Sequence, residues 1–100
     1  MKYEVIPTSY FLRRLKQLKE RGVERGVDSL ALGLQEGIFP GVIIKGTKGK
    51  VRKTRIEAAG QGKRGGFRVI YYLCIEENKE IYLIDVYGKN EKETITPAEI

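Results

Sequence analysis

The sequence predicts a single α+β domain in which two N-terminal helices pack on a small, mainly antiparallel sheet. Residues 8–37 contain two stretches whose apolar residues recur at helical spacing. Residues 51–87 contain three strand-like stretches joined by glycine-rich or polar turns, which favours an antiparallel meander. With a short N-terminal strand, the predicted order is β-α-α-β-β-β, followed by a short C-terminal helical turn. One hundred residues with 41% apolar content supply one modest core, so we expect one domain over residues 1–100.

The first predicted elements are a short strand and a helix. Lys2–Ile6 alternates between polar and apolar residues, and Pro7 ends the alternation. Thr8 or Ser9 offers an N-cap, because a hydroxyl there can accept a hydrogen bond from the first helical turn. The helix is predicted over Tyr10–Arg21, with its leucine and phenylalanine side chains on one stripe.

A second amphipathic helix follows two predicted breaks, Gly22 and Gly26. Gly37 is expected to end this helix, since glycine is common just past a helix C-terminus. Its apolar face is predicted to consist of Val27, Leu30, Ala31 and Leu34. Two consecutive helices after one strand indicate a helical hairpin lying on the sheet.

The middle of the chain predicts a turn, a basic loop and a strand. Ile38–Ile44 suggests a turn around its Pro-Gly pair and a short extended piece, and Lys45–Lys50 is a basic loop. Val51–Ala59 is the next predicted strand. Because Val51 and Ile56 have opposite parity along it, the pattern suggests a β-bulge between them.

The last two strands follow a glycine-rich basic turn within Gly60–Tyr72. Phe67–Ile75 is apolar or aromatic on both faces except at Arg68 and Cys74, as expected of a central strand covered on both sides. Glu76–Glu80 is predicted to be a polar hairpin loop, and Ile81–Tyr87 the next strand. Thr96–Glu99 is a capping box with proline at the first helical position, which predicts one further helical turn.

Composition indicates a polyanionic partner without identifying it. The chain carries 19 Lys and Arg against 13 Asp and Glu, so its net charge is +6. Nucleic acid, an acidic protein or an anionic surface would fit this charge, as would a soluble protein that is merely basic. No apolar run approaches the roughly 18–20 residues needed to span a bilayer, so we expect no membrane partner and a cytoplasmic setting.

Cysteine and histidine usage restricts the possible chemistry. Cys74 is the only cysteine, so no internal disulfide can form, and its place in a strand pattern predicts a small core residue. The chain contains no histidine, which excludes a ribonuclease mechanism based on two histidines. It shows no carboxylate cluster with metal-ligand spacing, so we expect neither a metal site nor a cofactor.

Strand pairing predicts where basic residues meet. A loop centred near Asn78 would place Arg68 opposite the segment from Tyr87 to Lys89. A turn within the glycine-rich segment would place Arg55 next to Arg68 or its neighbour, with Lys53 further along the same strand. These cations and the tyrosine would then gather at one end of the sheet.

Such a cluster suits a phosphodiester, because arginine binds phosphate oxygens bidentately and lysine or arginine can stabilise a phosphorane. Cleavage of RNA through attack of its 2′-hydroxyl is the chemistry that remains, with Tyr87, a lysine or Glu91 handling protons. A solvated basic rim, with Tyr87 simply packing on Arg68, explains the same pattern and stays open at this point.

Three stretches of the sequence resemble the RelE/ParE superfamily of bacterial and archaeal toxins, and within it the HigB-like branch. These stretches are Arg52–Arg55, Gly62–Tyr72 and Ile81–Glu93, and with the predicted element order the resemblance covers nearly the whole chain. It implies a RelE-like fold and a ribosome-dependent mRNA endonuclease, the toxin of a type II toxin–antitoxin pair. The implied partners are the 70S ribosome with its mRNA and a small acidic antitoxin, of helix-turn-helix type and encoded by the adjacent gene.

The resemblance also assigns roles to residues. It implies catalytic or phosphate-stabilising roles for Lys53, Arg55, Arg68 and Lys89, and Tyr87 is the candidate for proton transfer. Binding of RNA or the ribosome is expected of the remaining basic positions near them, namely Arg52, Lys63, Arg64, Lys92, Lys48 and Lys50.

Departures from the family pattern keep two alternatives open. Some RelE members carry a catalytic tyrosine near the C-terminus, where this chain has Ile95 and Thr96. The active-site histidines of some HigB members have no counterpart. The alternatives are a ParE-like inhibitor of DNA gyrase and a catalytically degenerate basic binding module.

Overall fold

The structure, a computed structural model, describes residues 2–18, 22–57 and 66–88. These residues form an α+β fold with a five-stranded mixed sheet and three helices. The strands are β1 (Glu4–Pro7), β2 (Val42–Ile43), β3 (Val51–Ile56), β4 (Phe67–Cys74) and β5 (Glu80–Gly88), and the helices are α1 (Ser9–Leu18), α2 (Glu24–Gln35) and α3 (Ile75–Asn78).

The sheet has the order β1-β5-β4-β3-β2. Strands β2 to β5 pair antiparallel in sequence order, which confirms the predicted meander. β1 pairs parallel with β5 and lies at an edge of the sheet. The predicted extended piece between Ile38 and Ile44 is the two-residue edge strand β2.

Helix α1 begins where its sequence predicts a cap. The backbone N–H of Phe11 donates to Thr8 Oγ1 over 3.1 Å, and the Thr8 hydroxyl donates to the carbonyl oxygen of Leu83 over 2.9 Å. One side chain therefore satisfies an orphan helix donor and ties the start of α1 to β5. Phe11 and Leu18 are the buried residues of this helix.

One of the two glycines predicted to interrupt the helical pattern lies inside helix α2. Gly22 has a φ of +71° and lies before the helix, but Gly26 lies inside it, so the break predicted there is wrong. A Cβ at position 26 would collide with the carbonyl oxygen of Glu57 and press on Ile56. Gly26 is therefore present because α2 packs closely on the end of β3, and tertiary packing outweighs helix propensity.

The end of α2 follows the sequence pattern. Gly37 has a φ of +92°, its N–H donates to Leu34 O over 3.1 Å, and the N–H of Ile38 donates to Gly33 O over 3.0 Å. This pair of bonds is a Schellman motif, which satisfies carbonyl groups at the helix end.

The bulge of the sheet lies in β5 and not in β3. β3 pairs with β4 without a register shift from Val51 to Ile56, so the bulge predicted between those two residues is wrong. The pairing of β4 with β5 shifts by one residue between Ile70 and Tyr71. Val51 and Ile56 differ in parity because each packs against a separate apolar cluster, one on each face of the sheet.

The two clusters define the two faces. On the helix-covered face, α1 and α2 bury side chains of β3, β4 and β5, including Phe67, Val69 and Tyr71, which are at most 2% exposed. On the opposite face, which we call the second face, a smaller cluster contains Ile44, Val51, Ile70 and Tyr87.

The connection between β4 and β5 is partly helical. The sequence predicts a polar loop over Glu76–Glu80, whereas the structure has a single helical turn, α3. Lys79 ends this turn in the left-handed region with a φ of 56°, and its N–H donates to Ile75 O over 3.1 Å. Of the predicted glycine turn, only Gly66 is described, and the predicted capping box at 96–99 lies outside the described residues. Within the described ranges, no helix is long and apolar enough to cross a membrane.

Candidate polyanion-binding site

The register of the sheet brings Arg55, Arg68 and Tyr87 into one row. Arg55 lies directly opposite Arg68 on β3 and β4, and Arg68 lies directly opposite Tyr87 on β4 and β5. Both pairings confirm the register expected from loop positions. Residues paired in this way have Cβ atoms about 5 Å apart, so the two guanidinium groups belong to one local surface.

Lys53 joins the two arginines on the second face. It lies two residues before Arg55 in β3, so the two side chains point to the same side and are about 7 Å apart along the strand. Lys53 pairs with Ile70, which belongs to the apolar cluster of that face. We call Lys53, Arg55 and Arg68 the basic cluster.

Among the described residues, no ion pair neutralises the charges of the basic cluster. In the part of the chain that the structure describes, none of its side chains forms an ion pair, and its one hydrogen bond is a long contact of 3.5 Å from Arg68 Nη1 to Phe67 O. Arg55 is exposed, and Lys53 and Arg68 are half-buried. Because like charges directly opposite each other destabilise a sheet, this arrangement favours an anion between them.

Tyr87 is placed in the row of the two arginines but is closed to solvent. It is 1% exposed and packs with Ile44, Val51 and Ile70. A phenol buried in this way cannot exchange a proton with a bound phosphodiester in this conformation. Its burial therefore argues against the proton-transfer role predicted for it, and supports a packing role beneath the basic cluster.

Arg52 lies on the other face from the basic cluster. It pairs with the buried Tyr71, its Nη1 donates to Phe39 O over 2.9 Å, and its guanidinium lies 5.9 Å from the centre of the Phe39 ring. These contacts fix the segment that precedes β2. Arg52 therefore lies on the helix-covered face, apart from the basic cluster, and its predicted role in binding RNA or the ribosome stays a prediction.

Lys48 and Lys50 lie at the opposite end of β3 from Arg55. Their loop is ordered by Thr47, whose hydroxyl donates to Ile44 O over 2.7 Å and accepts from the N–H of Val51 over 3.3 Å. Both lysines are exposed, and Lys50 Nζ lies 3.8 Å from Glu77 Oε1. The structure thus separates these two lysines from the basic cluster. Lys63, Arg64, Lys89 and Lys92 lie outside the described residues, so their predicted roles stay predictions.

Asp85 is a buried acid near the basic cluster, and no role was predicted for it from the sequence. Asp85 is 2% exposed, follows the bulge of β5 and pairs with Ile70, two residues along β4 from Arg68. The Arg14 Nε atom of α1 lies 3.8 Å from Asp85 Oδ1. The interruption of an apolar strand by an aspartate is a signal of such a buried pair, because a buried carboxylate needs a charged or hydrogen-bonding partner.

Cys74 is half-buried on the second face and not in the core, which corrects the sequence-based prediction. Its Sγ contacts Glu77 Oε2 at 3.2 Å, and this hydrogen bond to a carboxylate raises the pKa of the thiol. The contact therefore disfavours a thiolate nucleophile. Across the described ranges, no three His, Cys, Asp or Glu side chains are grouped so that they could hold a metal ion.

No protein-family model matches this sequence. Function is therefore inferred from the arrangement of its own side chains.

Proposed function

We propose that this chain is a ribosome-dependent mRNA endonuclease, the toxin of a type II toxin–antitoxin pair. The observation that supports the proposal most directly is the basic cluster, in which Arg55 and Arg68 lie opposite each other with Lys53 beside them. The α+β class of the fold is compatible with the fold that the sequence resemblance implies, which supports the proposal at the level of class.

The proposed chemistry is an intramolecular transesterification, in which the 2′-hydroxyl of the RNA displaces the 5′-oxygen of the next nucleotide from phosphorus. The 2′-hydroxyl gives up its proton as its oxygen attacks the adjacent phosphorus, and the bond from phosphorus to the 5′-oxygen breaks as that oxygen takes up a proton. The products are a 2′,3′-cyclic phosphate and a 5′-hydroxyl. The phosphorane formed on the way carries an additional negative charge. Arg55 and Arg68 would neutralise this charge through paired N–H donors, and Lys53 would act as a point charge beside them.

Proton transfer is the part of catalysis that the described surface supplies least. The candidate for proton transfer, Tyr87, is 1% exposed. An in-line attack by the 2′-oxygen therefore depends on an external template that holds the RNA, and this is the role proposed for the ribosomal A site. Orientation of this kind is worth several orders of magnitude in rate.

An acidic antitoxin is the proposed protein partner. The chain has a net charge of +6, and the basic cluster offers it a site where carboxylates would replace phosphate. We expect the affinity of such a complex to fall as salt concentration rises, because its charges are exposed before binding.

The burial of Tyr87 favours a second candidate function, a polyanion-binding module that does not cleave RNA. Such a module would use the same three cations for affinity and would need no proton transfer. Measurement of cleavage decides between the two, since both predict binding.

Arg68→Ala tests the proposed function. Expression of the wild-type chain should arrest growth and produce cuts at A-site codons, mapped by primer extension on ribosome-bound mRNA. Loss of one charge-stabilising donor costs roughly a hundredfold in rate, so Arg68→Ala should abolish the arrest. Arg25→Ala is the matched control, because Arg25 is an exposed arginine on α2, which covers the face of the sheet opposite to the basic cluster.

Equal toxicity of a folded Arg68→Ala protein would contradict the assigned site. Growth arrest accompanied by DNA damage and no codon-boundary cuts would replace the proposal with gyrase inhibition. Binding to ribosomes without growth arrest or cleavage would support the non-cleaving module.

A further inference from the structure

A tyrosine pair lies on the second face beyond Ile70, on the side away from Arg68. Tyr72 of β4 is directly opposite Tyr82 of β5, with ring centroids 6.5 Å apart and ring planes at 33°. Both residues are half-buried, so each ring keeps a solvent-accessible part. Tyr72 follows Arg68 by four strand residues, which places it about 13 Å from Arg68 along the strand, and the row of Lys53 and Ile70 lies about 7 Å from it on the same face.

A carboxylate is held beside this tyrosine pair. The Tyr82 hydroxyl donates to Glu80 Oε1 over 2.6 Å, and this hydrogen bond to a carboxylate raises the pKa of Tyr82. The phenol therefore remains a donor and fixes the position of Glu80. Within the described ranges, Glu80 accepts no other side-chain hydrogen bond, so its second oxygen is available to a ligand.

Positive charge on the second face is concentrated towards one end of its strands, where Lys53, Arg55 and Arg68 lie. Beyond the tyrosine pair lies Glu80, and the nearby Glu77 forms an exposed ion pair with Lys50 over 3.8 Å. Carboxylates repel phosphate and Lys50 is already paired, so a nucleic-acid backbone is attracted to the basic cluster more strongly than to the surroundings of Glu80. An uncharged base can lie there, because tyrosine rings stack on bases of any sequence.

Glu80 gives this position a chemical preference. A carboxylate only accepts hydrogen bonds, and the exocyclic amino group of cytosine is a donor that Glu or Asp reads directly. Uracil differs from cytosine at this point, because it presents a carbonyl oxygen where cytosine presents the amino group. A carboxylate in the place of Glu80 therefore attracts the one base and repels the other.

The geometry points to a nucleobase subsite at Tyr72 and Tyr82, with Glu80 selecting a base that carries an exocyclic amino group. The inference rests on the proposed function in one respect, since it takes the ligand of this face to be single-stranded RNA. The phosphate of a neighbouring nucleotide then lies on the basic cluster, and the strand runs along β4 from Arg68 to Tyr72.

Binding of two short oligonucleotides tests the subsite. The probes are fluorescein-labelled octamers of deoxycytidine and of deoxyuridine, which lack the 2′-hydroxyl and cannot be cleaved by its attack. Fluorescence anisotropy at low salt should show the deoxycytidine octamer binding at least about fivefold more tightly to the wild-type chain, the lower end of the range for one direct base contact. Glu80→Gln should bring the ratio close to one, because its amide can also donate to the uracil carbonyl.

Three further variants separate stacking, selection and phosphate binding. Tyr72→Leu should weaken both octamers by about fivefold or more through loss of stacking. Tyr82→Phe keeps the ring but removes the hydroxyl that holds Glu80. It should therefore weaken binding of the deoxycytidine octamer more than binding of the deoxyuridine octamer. Arg68→Ala should weaken both octamers and leave their ratio unchanged. Circular dichroism of each variant establishes that it is folded.

Each outcome bears on one proposal. Equal affinities of the wild-type chain for the two octamers, or wild-type affinity in a folded Tyr72→Leu protein, would overturn the subsite and leave the growth-arrest test of the proposed function standing. Absence of binding to either octamer would also overturn the subsite. If folded Arg68→Ala protein binds the octamers as tightly as the wild-type chain, that result would count against the basic cluster as a phosphate site, and with it the proposed function.

Discussion

At the scale of single residues, burial separates side chains that the sequence pattern leaves equivalent. Arg52 and Lys53 are adjacent cations in β3, yet the first donates to Phe39 O and the second lies on the second face without an ion pair among the described residues. Strand parity decides this difference, because neighbouring side chains point to opposite faces. Parity could be counted from the sequence only after the bulge was assigned to the correct strand.

Tyr71 predicts a pH dependence of stability. Its hydroxyl donates to the carbonyl oxygen of Pro40, and burial raises its pKa to about 12, an effect that Arg52 opposes. In the unfolded chain a tyrosine titrates near pH 10. The folded state therefore keeps this proton where the unfolded state has released it, so the stability is fully present below about pH 10 and is lost as pH rises towards 12.

The free energy of unfolding should fall above pH 10 by about 1.4 kcal/mol per pH unit through this group. Tyr71→Phe removes the titrating proton, so its free energy of unfolding should fall less steeply over the same range. Urea denaturation of both proteins between pH 8 and 11.5 measures the difference. Parallel curves would show that Tyr71 does not titrate abnormally.

At the scale of secondary-structure elements, local signals predict where most elements lie. Thr8 caps α1 and Gly37 ends α2 as their residue types indicate, because caps depend on a few neighbouring atoms. Gly26 could not be placed correctly in this way. Glycine is required there because a Cβ would collide with the backbone of Glu57, which is 31 positions further along the chain.

The same limits apply to the candidate site. The opposition of Arg55, Arg68 and Tyr87 could be predicted, because loop positions fix register to within about two residues. The burial of Tyr87 and the contact of Asp85 with Arg14 could not, because both depend on packing between elements distant in sequence.

Gly26 and Gly33 in α2 form a matched pair for testing this packing. Alanine normally stabilises a helix by about 1 kcal/mol relative to glycine. Gly33→Ala should show such a gain, because the nearest atom to its new Cβ is Ile38 Cβ at 3.8 Å, an ordinary contact. Gly26→Ala should instead destabilise by about 1–3 kcal/mol, because its Cβ meets the backbone of Glu57 and the helix must shift.

Chemical denaturation of the two variants beside the wild-type chain gives both values. A gain in stability for Gly26→Ala would mean that α2 does not pack against the end of β3 at this distance.

At the scale of the whole molecule, the basic cluster sets stability against function. The chain carries a net charge of +6, and two of its arginines face each other across β3 and β4 without an ion pair in the described part. Such an arrangement adds local repulsion to the general repulsion of a basic chain. A protein can keep two opposed arginines at this cost in stability when function needs them, because a bound anion then removes the repulsion between them.

Arg55→Thr should therefore stabilise the isolated protein. The change removes one of two opposed charges and keeps a residue that suits a strand, so the free energy of unfolding should rise by about 0.2–1 kcal/mol at low salt. In 1 M salt, where the screening length is about 3 Å, the difference should shrink towards zero. Arg55→Lys keeps the charge and should show no comparable gain at low salt.

Urea denaturation of the wild-type, Arg55→Thr and Arg55→Lys proteins at both salt concentrations measures these differences. A gain that persists in 1 M salt would assign the effect to strand propensity instead of charge. The same Arg55→Thr protein should lose affinity for phosphodiesters, because the charge whose removal stabilises the free chain is the one that the anion needs.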